Sequence, residues 1–131
     1  MFFQIEPSDA TPIYEQVMRR VKFAIAKGLL TSGELVPSVR EMAKQAAINP
    51  NTVARAYGKL QDEGVLELRR GKGLAVTPDA PDLCRRDRIN LIRGRLRGVL
   101  DEASQSGLDE THVEELVAEE LNTSKTRRQD S

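Results

Sequence analysis

Four runs decide the fold of this chain: Pro37-Ser38-Val39-Arg40-Glu41-Met42-Ala43, Asn49-Pro50-Asn51-Thr52-Val53, Glu63-Gly64 and Arg70-Gly71-Lys72-Gly73. In order they predict two short helices, a sharp turn between them, and a basic, glycine-flanked hairpin after the second helix. That succession of parts is a winged helix-turn-helix, a device that lays its second helix in the DNA major groove.

The helices follow residue by residue. Ser38 with Glu41 three positions later is a capping box, each side chain meeting the other's orphan backbone donor. Val39, Met42, Ala43 and Ala46 then fall at i, i+3, i+4 and i+7, a narrow apolar stripe. Asn49 is set to cap the next helix, with Pro50 at the first helical position, where a missing N–H costs nothing. Winding that helix puts Val53, Ala56, Tyr57 and Leu60 on one face. Asn51, Arg55, Gly58, Lys59 and Asp62 lie opposite, with Thr52 at the edge. A small core stripe backed by Asn, Thr, Arg and Lys suits base and phosphate contact. Gly58 on that face lowers helix propensity, which makes sense if another backbone approaches closely there. Gly64 ends the helix.

Beyond Gly64 the period changes from helical to alternating. Val65, Glu67 and Arg69 alternate with Leu66 and Leu68, and Leu74-Ala75-Val76-Thr77 follows a break. Two strands around Arg69-Arg70-Gly71-Lys72-Gly73 read as a hairpin. Its basic tip suits phosphates or the minor groove, where cations gain from counterion release.

At this point the chain resembles the GntR family of bacterial transcription regulators, in particular its YtrA subfamily. The resemblance rests on Gly33-Glu34-Leu35-Val36-Pro37-Ser38-Val39-Arg40-Glu41-Met42-Ala43, on Thr52-Val53-Ala54-Arg55-Ala56-Tyr57-Gly58-Lys59-Leu60-Gln61-Asp62-Glu63-Gly64, and on Gly71-Lys72-Gly73. The YtrA likeness adds Phe3-Gln4-Ile5, Pro12-Ile13-Tyr14-Glu15-Gln16-Val17 and Asn49-Pro50-Asn51-Thr52. It implies a sequence-specific DNA-binding regulator, a repressor, acting as a homodimer on a palindromic operator in double-stranded DNA. Family members tend to carry Arg where this chain has Pro50 and Ala54, so base readout falls to Asn51, Arg55 and Arg40. Ser38, Thr52, Lys59, Arg70, Gly71, Lys72 and Gly73 complete the candidate DNA-binding set.

Charge agrees with this reading once it is resolved along the chain. The net charge is zero, yet residues 12–78 hold eleven Lys and Arg against six acidic residues, and residues 79–131 hold nine against twelve. The positive charge sits with the helix-turn-helix, which is the distribution that matters for phosphate binding. Aromatic residues make up only 4% of the chain and Trp is absent, so a lone monomer has a thin core and association is expected. No apolar run is long enough to span a membrane, and Cys84 is the only cysteine, so the expected location is cytoplasmic.

The first helix is expected from Pro12, capped by Thr11, to Lys27, with Ile13, Val17, Val21, Ala24 and Ile25 as its stripe, widened by Tyr14 and Met18. Phe23 falls off the stripe, to pack under an amino-terminal strand Phe2-Phe3-Gln4-Ile5 or against a partner. The expected organisation is a winged helix-turn-helix domain over 1–78, a linker at 79–82 set by Pro78 and Pro81, a helical dimerisation segment over 83–121, and a disordered polar tail over 122–131. In that segment Ile89, Ile92, Leu96, Val99 and Ala103 make an a/d seam on a helix ending near Gly107. A second helix, capped by Asp109, carries Val113, Leu116, Val117 and Leu121. The first is rich in Arg and the second in Glu, so the two pair with each other or with a second copy. The arginines from Arg85 to Arg97 read as a solvated or salt-bridged face.

Cys84 and His112 read as structural or incidental, because the chain offers no Cys/His cluster for metal or redox work. No nucleophile–base pair, phosphate-binding glycine loop or catalytic acid pair is present. The expectation is no enzyme, cofactor or metal. Two other readings stand beside the regulator. One is a winged-helix module that uses the same surface for protein contacts. The other is the same regulator with an unknown small-molecule effector bound at the dimer interface, since the carboxy-terminal residues are too few to enclose a pocket.

Overall fold

A computed structural model describes residues 5–8 and 10–130. The described chain is mainly α with a small β-hairpin wing: α1 (Ile13–Ala26), α2 (Val39–Ala46), α3 (Pro50–Asp62), β1 (Leu66–Arg69), β2 (Gly73–Val76), α4 (Ala80–Gln105) and α5 (Glu110–Asp130). It divides into two compact units, Met1–Ile89 and Asn90–Ser131.

The first unit is the winged helix-turn-helix. Val17, Val21, Ala24 and Ile25 of α1, Met42 and Ala43 of α2, and Val53, Ala56, Tyr57 and Leu60 of α3 are buried together with Leu30, Val65, Leu66 and Val76. Fully burying one such aliphatic side chain stabilises by about 1.5–3 kcal/mol, so this cluster supplies the main driving force. The stripes expected for the three helices are the faces that meet. The capping box of α2 is formed in both directions at 3.1 Å, and Asn49 Oδ1 accepts the Asn51 N–H at 2.8 Å to start α3. Between the helices the chain turns at Ala47, the one non-glycine residue with positive φ among those described (55°).

At the start of α1 the cap is Pro12, which has no side chain able to cap, and not Thr11. The Pro12 carbonyl accepts from Glu15 and Gln16, each at 3.1 Å, which sets the first turn one residue later than expected. Gln16 is buried and ties down the preceding segment. Its Nε2 donates to the carbonyls of Glu6 (3.0 Å) and Thr11 (2.9 Å), and its Oε1 accepts the Glu6 N–H (2.8 Å). The expected strand at Phe2-Phe3-Gln4 lies outside the described residues. The Phe23 ring lies under the Arg88 guanidinium of α4, 4.9 Å away, with Lys27 at 5.3 Å.

The wing has a third participant. β1 and β2 pair antiparallel from Leu66↔Val76 to Arg69↔Gly73. The segment before α2 lies along the other edge of β2, where Leu35 bridges Ala75. Three bonds hold it: Gly33 N–H to the Val76 carbonyl (2.8 Å), Val76 N–H to Glu34 (2.9 Å) and Val36 N–H to Leu74 (2.9 Å). The wing is thereby tied to the residues that lead into α2. Gly58 departs from expectation, since a Cβ added there would meet nothing within 4 Å. Among the described residues no backbone approaches that glycine closely.

Residues 79–82 are not a linker, because α4 begins at Ala80 and Pro81 sits in its first turn, where a missing N–H is harmless. Ala80 and Cys84 are buried in the first unit's core, which is why the helix starts early and why that unit extends to Ile89, beyond the expected limit of 78. In the second unit Asp109 caps α5, its Oδ1 accepting the His112 N–H at 2.9 Å. α5 does not stop at Leu121. It runs to Asp130, through the expected disordered tail, because no Gly or Pro interrupts it and Arg127 and Arg128 in its last turn complement the helix dipole.

Candidate nucleic-acid interface

α3 presents the expected residues as one surface. Asn51 and Arg55 are exposed and Thr52 half-buried, and the three line a cleft of about 330 Å³ with Ile13 and Tyr14 of α1. The Arg55 guanidinium carbon lies 3.9 Å from the centre of the Tyr14 ring, and Lys59 Nζ, one turn on, lies 5.5 Å from it. The Tyr14 hydroxyl donates to Glu15 at 3.3 Å.

A second cleft, of about 550 Å³, separates the start of α2 from the wing. Ser38, Glu41 and Tyr57 line one side, and Lys72, Gly73 and Leu74 the other. The Glu41 carboxyl is held below the ordinary carboxylate range, chiefly by the Ser38 backbone N–H and further by its hydroxyl. Arg70, Gly71, Lys72 and Gly73 are exposed at the hairpin tip, where Gly71 (φ 75°) and Gly73 (φ 124°) take conformations that L side chains rarely adopt. Arg40 is exposed on α2 and lines neither cleft, as is true of Arg70.

The structure thus gathers Asn51, Thr52, Arg55 and Lys59 on one helix, and Ser38, Lys72 and Gly73 around one groove. Sequence reasoning missed Tyr14 as part of this surface and placed it at the margin of the α1 core stripe. An aromatic residue at the start of a helix, facing an i,i+4 pair of cations, was the available signal.

Behind α3, Lys22 of α1 pairs with Glu63 at the end of α3 and with Asp87 of α4, the latter at 3.0 Å. Partial burial works against its charge, but hydrogen bonds to Glu63 and Asp87, and their charges, outweigh this and hold the lysine above its ordinary pKa. Among the described residues no group of His, Cys, Asp and Glu is placed to hold a metal, and no helix is long and apolar enough to cross a membrane.

Residues 13–76 match the family described as bacterial regulatory proteins, gntR family. The chain is 34% identical over 116 residues to the HTH-type transcriptional repressor YtrA of Bacillus subtilis, covering 88% of this chain and 89% of that one. Its fold is similar to a transcriptional regulator from Oenococcus oeni, with a TM-score of 0.78 and 32% identity over 89% of this chain and 97% of the other. AraR(DBD), solved in complex with operator ORE1, is 25% identical with a TM-score of 0.50, over 56% of this chain and 89% of that one. The chain belongs to the GntR family. It is a DNA-binding transcription regulator of that family rather than an enzyme, and its likeness to YtrA extends over most of its length.

Proposed function

We propose that this regulator is a repressor that binds a palindromic operator as a homodimer. Arg55, Asn51, Thr52 and Arg40 read base edges, while Ser38, Lys59 and the wing tip Arg70–Gly73 hold phosphates. The observation that carries the reading is the pairing of two features in one chain. α3 offers a polar, cationic face outward from a well-buried stripe, and the helices beyond Ile89 leave their apolar residues uncovered. Ile92, Leu96 and Val99 of α4 retain 48%, 51% and 59% of their exposure, and Leu116 and Leu121 of α5 retain 46% and 61%. A continuous apolar stripe of this kind on a water-exposed helix calls for a partner. A second copy of the same chain supplies one, with Ile89, Ile92, Leu96 and Val99 on α4 and Val113, Leu116 and Leu121 on α5 in the interface.

Two-fold symmetry then dictates the operator. A symmetric dimer presents two identical recognition helices, so half-sites should repeat as a palindrome about 10 base pairs apart, or a multiple of that. The repressor role is supported by the likeness to YtrA over most of both chains. Selection of sites from random duplex DNA, followed by insertion of five base pairs between the half-sites, tests the reading. The insertion turns one half-site to the far face of the duplex, so affinity should fall to the non-specific level. A selected site without symmetry, or binding that survives the insertion, overturns the dimer as the reading unit. Binding without steep salt dependence favours instead the use of this surface for protein contacts.

A further inference from the structure

We propose that Tyr14, on α1, is a positioning residue for DNA readout: its ring is the platform that holds the Arg55 guanidinium ready for a base edge before DNA arrives. The inference rests on the reading of Arg55 as a base-contacting residue and extends the interface to a helix outside the helix-turn-helix.

The geometry is that of a stacked cation. At 3.9 Å from the ring centre the guanidinium is in van der Waals contact with the aromatic face, where the ring's negative quadrupole attracts it. Stacking engages only the face of the planar group. The N–H donors lie along its edge and stay available for the two parallel hydrogen bonds that a guanine O6/N7 pair accepts. Free in solvent, an exposed arginine would sample many rotamers and lose that freedom on binding. Held on Tyr14, it meets the DNA already ordered. The cleft on which Tyr14 and Arg55 border also contains Asn51 and Thr52, so the platform belongs to the surface where base contact is proposed. Lys59 strengthens the case. Arg55 and Lys59 are like charges at i,i+4 on α3, a pairing that is unfavourable by itself, and both lie over the same ring.

The proposal separates two properties of Tyr14. Tyr14→Phe keeps the platform and removes only the hydroxyl donated to Glu15. Tyr14→Leu keeps apolar bulk for the core margin and removes the π-face. The probes are the duplex recovered by selection and a random duplex of equal length. The Tyr14→Leu protein should lose roughly 2- to 5-fold in preference for the selected duplex, the range expected of one exposed cation–π contact. Affinity for the random duplex should hold, and Tyr14→Phe should retain the preference. In the double substitution with Arg55→Ala, replacing Tyr14 should have no further effect. If Arg55→Ala collapses the preference while Tyr14→Leu leaves it intact, the positioning role is wrong and base reading by Arg55 stands. If Arg55→Ala itself leaves the preference unchanged, the base-reading assignment fails first. A readout independent of folding in the variants comes from the DNA-free protein. The Arg55 Nε–H resonance should be ordered on the nanosecond scale and displaced by the ring current. A side chain that is disordered in the free protein overturns the proposal.

Discussion

The Tyr57 hydroxyl donates to the Pro37 carbonyl at 2.8 Å, joining the buried face of α3 to the residue that precedes the α2 cap. Burial, and then the charge of Glu41, push the Tyr57 phenol well above its ordinary pKa, so it stays a donor throughout the working pH range. Replacing it with Phe leaves the carbonyl without that donor in a half-buried place. Tyr57→Phe should lower stability by about 1–2 kcal/mol, read as a lower urea midpoint at constant slope. An unchanged midpoint would show that water replaces the hydroxyl without loss.

The turn between the helices holds Ala47 at φ 55°, in the left-handed region that a Cβ disfavours. Glycine relieves that strain and gives back part of the gain as unfolded-chain entropy. Ala47→Gly should therefore raise stability by about 0.5–1 kcal/mol, measured by thermal unfolding. A lower midpoint would mean that the turn is held without strain.

Base reading and phosphate anchoring predict different losses. Lys72→Ala should weaken selected and random duplexes alike and make the salt slope shallower by about one unit. Arg55→Ala should chiefly erase preference for the selected duplex, by about 1–3 kcal/mol. Titrations at several salt concentrations distinguish them, and equal losses from both substitutions on both duplexes would dissolve the division of labour.

Leu96→Glu places a charge in the proposed seam, where association would have to desolvate it without a partner. The expected product is a monomer whose first unit remains folded, seen as a halved mass in sedimentation with helical circular dichroism retained. An unchanged dimer would move the interface elsewhere.

Burial, opposed by Lys22 and reinforced by Asp87 and Glu63, pushes the Cys84 thiol up to about 11. At neutral pH the thiol is protonated as well as enclosed, so alkylation should follow unfolding and be silent in the native protein. Lys22 has its folded pKa raised above its ordinary value of 10.5, so its contribution is complete below that value and is lost as pH rises through the folded one. Wild type and Lys22→Met should thus differ in stability at neutral pH and converge in strong alkali. A constant difference would assign the loss to packing of the lysine stem.

Local signals in the sequence were sufficient wherever the physics is local. Ser38 with Glu41, Asn49 with Pro50, and Asp109 each announced a helix start that the structure reproduces, because a cap involves only residues within one turn. Pro78 and Pro81 were ambiguous, since proline serves equally in a loop and in the first turn of a helix. The burial of Ala80 and Cys84 decided between them, and burial is a tertiary fact. The last residues of α5 are polar enough to read as coil, yet polarity alone does not stop a helix that meets no breaker. The Leu35–Ala75 bridge and the Tyr14–Arg55 stack join segments far apart in sequence, and no pattern within either segment specifies its partner.

The backbone laid along β2 has a consequence for life at high local concentration. A two-stranded hairpin offers two unpaired edges, and each can recruit a strand from another molecule. Among the described residues, β2 has β1 on one side and the Leu35 segment on the other, so its own hydrogen-bonding groups are engaged from both directions. The outward edge belongs to β1, which is only four residues long and carries Glu67 and Arg69, an ion pair at 3.5 Å. Short, charged edges are poor templates for strand addition. A wing that must stand out from the body to reach DNA is in this way protected against the edge-to-edge aggregation that exposed β-structure invites.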